Sequence, residues 1–205
     1  MVKLYVEGAG DTAVLKTECR ASFTAFMTKT GIKKRPRVVA CGSRTDAYEA
    51  FCIAIKKGQD ALLLVDSEQP VNPNYQKGGP DTWQPWAHLK ARDKWIQPQH
   101  SADSDCHLMV QSMENWFLAD RDALKAFFGQ GFNGNLLPST PVEDVAAHTL
   151  HEALKKATHA CKTKSRYDKS NHSFKLLAAI DPEKVMQASA WGKRFVDELR
   201  KKMEA

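Results

Sequence analysis

No run of apolar residues in this 205-residue chain approaches the ~20 that a membrane-spanning helix needs. Its first residues enter a strand pattern directly, without the charged, apolar and small-residue zones of a secretory leader. Cys-x-x-Cys pairs are missing as well. The five cysteines (Cys19, Cys41, Cys52, Cys106 and Cys161) are odd in number and scattered, mostly in apolar surroundings. That argues against both a disulfide framework and a thiolate zinc site, and a reducing cytoplasm is the expected compartment. There is no internal repeat and no long disordered tract. What is there is an ordinary globular composition, in a length that suits one domain with a substantial core.

The formal net charge is +6, and it is unevenly spread. The segment from Lys155 to Lys175 carries Lys155, Lys156, Lys162, Lys164, Arg166, Lys169 and Lys175 against a single acid, Asp168, with His159 and His172 among them. Such a stretch fits a polyanionic partner. Taken alone, a solvated lysine-rich helix end explains it equally well. The seven basic residues and His172 are the candidate nucleic-acid-binding set.

Apolar periodicity gives the order of elements. Val2 to Glu7 reads as a strand broken by Gly8 and Gly10, and about Asp11 to Lys29 as a helix. Arg37 to Cys41 is a second strand, Thr45 to Lys57 a second helix, and Ala61 to Val65 a strand apolar throughout, as for one covered on both faces. Residues 69–104 form a long irregular segment with a short helix at about Trp86 to Trp95. A fourth strand spans Cys106 to Gln111, followed by helices at about Met113 to Ala119 and Asp120 to Phe128. Further helices are expected at Val142 to Cys161, Ser173 to Ala179, Pro182 to Ala188 and Ala190 to Met203. The alternation predicts an α/β fold with a mostly parallel sheet flanked by helices. It divides into a core over 1–128 and a helical C-terminal extension over 129–205.

Right-handed crossovers place all the strand carboxyl ends on one edge, where ligands of open α/β sheets bind. Two acidic clusters fall there: Glu7 with Asp11, and Asp66 with Glu68. Four gathered carboxylates repel one another unless they bind protons or a cation. Taken singly, Asp11 reads as a helix cap and Glu7 as half of an ion pair. Taken together, they read as oxygen ligands for one or two Mg2+ or Mn2+ ions acting on a phosphate. Glu114, after the fourth strand, is the candidate further acid. Lys164, then Lys162, is the candidate for neutralising transition-state charge. His107 and Gln111 flank the fourth strand, where a satisfied core histidine is the favoured reading. Gly8-Ala-Gly10-Asp-Thr-Ala13 also fits a dinucleotide fingerprint, but Glu7 and Asp11 would repel a pyrophosphate there.

These residues resemble the TOPRIM fold of topoisomerases, bacterial primases and overcoming-lysogenization-defect nucleases. Val6-Glu7-Gly8 matches the glutamate after the first strand. Asp66-Ser-Glu68 matches the Asp-x-Asp motif with Glu as its second acid, and Asp11 matches an acid found in the nucleases. Leu4-Tyr-Val-Glu-Gly, Val65-Asp-Ser-Glu, Met113-Glu-Asn-Trp-Phe-Leu-Ala-Asp120 and His172-Ser-Phe-Lys-Leu-Leu-Ala are similar to uncharacterised bacterial TOPRIM-like proteins. The resemblance implies a metal-dependent endonuclease and a partner ATPase of the ABC or SMC-like type in anti-phage defence. A homodimer is compatible with it. The alternative is a non-catalytic TOPRIM-like or receiver-like assembly subunit that binds such an ATPase. Trp83, Trp86 and Trp95, interleaved with His88, Lys90, Arg92 and Lys94, suit single-strand stacking, though packing of the long loop is the favoured account.

Overall fold

The computed structural model describes residues 1–8, 10 and 12–204. Four parallel strands, β1 (Lys3–Val6), β2 (Arg37–Ala40), β3 (Ala61–Asp66) and β4 (Cys106–Met109), form one sheet in the order β2-β1-β3-β4. Leu4 lies level with Val38 and Leu62, and Val65 with Leu108, so the carboxyl ends run out together. The chain steps from β1 to β2 in one direction and returns past β1 to β3, which makes the gap between β1 and β3 the topological switch point.

The two-residue repeat of the strands divides the core. Leu4, Val6, Leu62 and Leu64 face α1 (Ala13–Lys29), through Phe23, Phe26 and Met27, and the C-terminal helices α6 (Lys169–Ala179), α7 (Pro182–Ala188) and α8 (Ala190–Glu204). Tyr5, Leu63 and Val65 face α2 (Arg44–Lys56) and α3 (Pro85–Asp93), through Phe51, Trp86 and Leu89. Helices α4 (Arg121–Phe128) and α5 (Ala147–Ala157) complete the first face. Ser43 and Asp46 form a reciprocal capping box at the start of α2. No helix among the described residues is long and apolar enough to cross a membrane.

An edge strand exposes unpaired carbonyls, and α8 lies against β4. Arg194, 1% exposed, donates from Nε to Pro80 O at 2.8 Å, from Nη1 to Cys106 O at 2.9 Å and from Nη2 to Asp103 O at 2.8 Å. One guanidinium thereby ties the long 69–104 segment, β4 and the last helix together. His107 Nδ1 accepts from the same guanidinium at 3.2 Å and the ring is fully buried against Phe195, so His107 is a core residue.

Several element boundaries differ from the sequence reading. Residues 113–119 form a 3-10 helix. The helix expected from Val142 starts only at Ala147, after a 3-10 turn at Val142–Asp144, and stops at Ala157, where the Thr158 hydroxyl bonds back to Leu154 O. Helix α6 begins at Lys169, four residues before the expected start, because Asp168 caps it by accepting from Asn171 N at 2.9 Å. The tryptophans pack. Trp83 and Trp86 are buried, and Trp95 stacks on Tyr48 at 4.5 Å.

Candidate metal centre

Glu7 follows the last residue of β1 and Asp66 ends β3, so the two carboxylates flank the switch point. Glu7 Oε1 accepts the Asp66 backbone N–H at 2.8 Å, and Asp66 Oδ1 accepts the Met113 N–H at 2.7 Å. Glu68 stands at the next bend with φ 64°, held there by its N–H to Gln111 O at 2.7 Å. This left-handed conformation costs a non-glycine residue about 1 kcal/mol. It brings a Glu68 oxygen within 4.8 Å of ligand oxygens from both Glu7 and Asp66.

Protein groups offset the charge of this trio only in part: Arg44 pairs with Glu7 at 3.3 Å and Arg92 with Glu68 at 3.9 Å. Glu7 is 6% exposed, and its Oε2 is buried with no hydrogen-bond partner. Arg44 Nε stands 3.3 Å from that oxygen but donates to Asp66 O at 3.0 Å instead. Its two terminal nitrogens are given to Asp93 at 2.9 and 3.1 Å. Burial pushes the Glu7 carboxyl up to about 7. Burial, then the neighbouring Glu7 and Glu114, also holds Asp66 well above the ordinary carboxylate range. A buried carboxylate oxygen that accepts no hydrogen bond, facing two more acids and one guanidinium, is a donor set a hard divalent cation could take. Glu7, Asp66 and Glu68 could together hold a metal ion.

Glu114 joins the same pocket. Its Oε1 accepts from the Ser173 hydroxyl at 3.1 Å and pairs with Lys169 Nζ at 3.2 Å. Lys169 is the first residue of α6, so its charge and the positive end of that helix meet the acids from one side. Lys164, expected in this role, lies instead with Nζ 5.2 Å from the Phe127 ring centroid. Asp11 lies outside the described residues.

Of the other expected basic residues, Lys156, Lys162, Lys164 and Arg166 are exposed. Lys155 pairs with Glu152 at 3.1 Å and Lys175 with Glu18 at 4.0 Å. His172 is not a surface contact. It is 7% exposed, its Nδ1 accepts the Asp168 N–H at 2.9 Å, and its ring packs edge-on to Phe127 and Phe128. Gln111 Nε2 donates to Glu143 O at 3.1 Å, a structural role.

Two cavities open on the acids. One, of about 220 Å³, is lined by Asp66, Glu68, Ser112, Glu114, Lys169 and, unforeseen in the sequence, His148 and His151 of α5. The only sequence signal for that pair was its i, i+3 spacing on a helical pattern, which puts both rings on one face. The other, of about 230 Å³, is lined by Glu7, Asp66, Glu114 and Lys169 together with apolar side chains.

No curated protein and no solved structure matches the chain. A family model described as Domain of unknown function (DUF4276) matches residues 6–200. The chain belongs to that family.

Proposed function

We propose that the protein is a metal-dependent nuclease that hydrolyses phosphodiester bonds in DNA or RNA with Mg2+ or Mn2+ held by Glu7, Asp66 and Glu68. One observation carries this reading: the Oε2 of Glu7 is buried without a hydrogen bond in a three-acid cluster, with the Arg44 guanidinium 3.3 Å away offsetting part of its charge. Bound there, a divalent cation would lower the pKa of a coordinated water and polarise a phosphate oxygen. In the hydrolysis a water oxygen bonds to phosphorus and loses its proton to solvent. The phosphorus bond to the leaving oxygen breaks, and that oxygen takes up a proton. Lys169 offsets charge on the phosphate oxygens, and Glu114 holds Lys169 in position. The exposed Lys156, Lys162, Lys164 and Arg166 supply phosphate contacts farther along the strand. An ABC- or SMC-like ATPase partner, an anti-phage role and a cytoplasmic location are supported by the TOPRIM-like motifs and the cysteine usage alone.

The reading is tested by titrating Mg2+ and Mn2+ into wild type, Glu7→Gln and Asp66→Asn, and by assaying cleavage of labelled DNA and RNA by the purified protein, alone and with any ABC- or SMC-like ATPase encoded beside it. Each substitution should weaken metal binding at least ~10-fold and reduce cleavage ~100-fold or more. Unchanged binding and cleavage in both variants would end the proposal.

The proximity of Arg44 to Glu7 favours a second reading, in which the acids are partly neutralised by protein and the chain is a non-catalytic assembly subunit. No binding of either metal at millimolar concentration decides for that alternative.

A further inference from the structure

We propose that the apolar cavity beside the acids is a nucleobase pocket, so that the site takes an unpaired nucleotide; this rests on the nuclease reading of the same carboxylates. The two cavities share Asp66, Glu114 and Lys169. Beyond that shared wall their chemistry diverges. The smaller continues into Ser112, His148 and His151. The larger continues into Leu15, Met109, Met113 and Phe174.

A site that reads only phosphate and metal has no use for a hydrocarbon chamber, and water held against such walls is unfavourable. Pockets for small ligands combine this kind of lining with a few polar groups. A nucleobase has apolar faces and polar edges, and the Phe174 ring and the Ser170 hydroxyl offer partners for each, the Ser173 hydroxyl being bonded to Glu114 and Tyr167. Gly8 lines the same chamber. Its φ of +97° suits glycine, and an added Cβ would project to 3.9 Å from Phe174 Cζ. With Lys169 and Asp66 on the shared wall, a base in the apolar chamber leaves its own phosphate at the cation and the acids. A base stacked within a duplex cannot enter, so the nucleotide must be single-stranded or extruded.

The experiment is calorimetric titration of the full chain, with Ca2+ present, by nucleoside 5′-monophosphates, ribose 5-phosphate and inorganic phosphate. At least one nucleotide should bind about tenfold or more tighter than ribose 5-phosphate, the worth of one stacked base. Phe174→Ala should shrink that gap to about twofold or less. Leu15→Trp fills the chamber from a half-buried position and serves if Phe174→Ala does not fold; nucleotide affinity should fall to that of ribose 5-phosphate. Equal affinity for nucleotide and ribose 5-phosphate in wild type, no nucleotide binding, or unimpaired nucleotide binding by Leu15→Trp each overturns the proposal. Metal titration of Glu7→Gln reports separately on the nuclease reading. Normal metal loss without a base effect defeats the pocket alone.

Discussion

Arg44 Nε stands 3.3 Å from Glu7 Oε2 without hydrogen-bonding it, because the guanidinium is committed to Asp93 and to the Asp66 carbonyl. The arginine lessens the charge of the acid pocket while leaving its key oxygen open. Arg44→Leu removes that compensation from buried Glu7 and half-buried Asp93 at once. We expect a loss of about 3 kcal/mol of stability in metal-free protein, and a larger recovery on adding Mg2+ than wild type shows. Chemical denaturation with EDTA and with Mg2+ checks both.

The pH dependence of metal-free stability follows from the Glu7 carboxyl, which burial raises to about 7. Between the ordinary carboxylate range and pH 7 the folded protein keeps a proton that the unfolded chain has lost. Stability is therefore fully present at low pH and declines as pH rises through 7, by at most about 1.4 kcal/mol per pH unit for this group. Asp66, also raised, acts in the same direction. Glu7→Gln should flatten the slope and be the more stable protein at pH 8 in EDTA. A wild-type midpoint that rises from pH 5 to 8 would contradict this.

Glu68 is held at φ 64°, where glycine carries no steric cost. Glu68→Gly should gain up to about 1 kcal/mol in denaturant unfolding while binding Mg2+ more weakly. Stability and function would then trade at a single position.

Two lysines that look equivalent in the chain should behave differently. Lys169→Met should lower cleavage ~100-fold, because it lines the acid pocket. Lys164→Met should act mainly through substrate affinity, with its effect fading as salt is raised. Comparable turnover losses at saturating substrate would refute the assignment.

The positions of Glu7 and Asp66 were legible because two rules suffice: apolar runs mark the strands, and parallel crossovers align their ends. Glu68 was legible as a near neighbour, though its left-handed backbone was not. Lys169 was read only as one of the basic nucleic-acid-binding set, since starting α6 at Ser173 left it in a loop, whereas Asp168 starts the helix in time to place it by Glu114. The same shift turns His172 inward. Arg44 was expected only as an unnamed partner of Glu7, because its reach depends on how the α3 segment returns Asp93 to the start of α2. His148 and His151 depend on α5 folding back over the sheet edge, a long-range arrangement that local periodicity does not encode.

The strut formed by Arg194 bears on the order in which the molecule matures. Translation delivers the three acids long before it delivers Lys169, and Arg194 arrives later still to fasten β4 and the 69–104 segment. On the proposed nuclease reading, a half-synthesised copy lacks Lys169 and the Arg194 strut and should therefore not cleave.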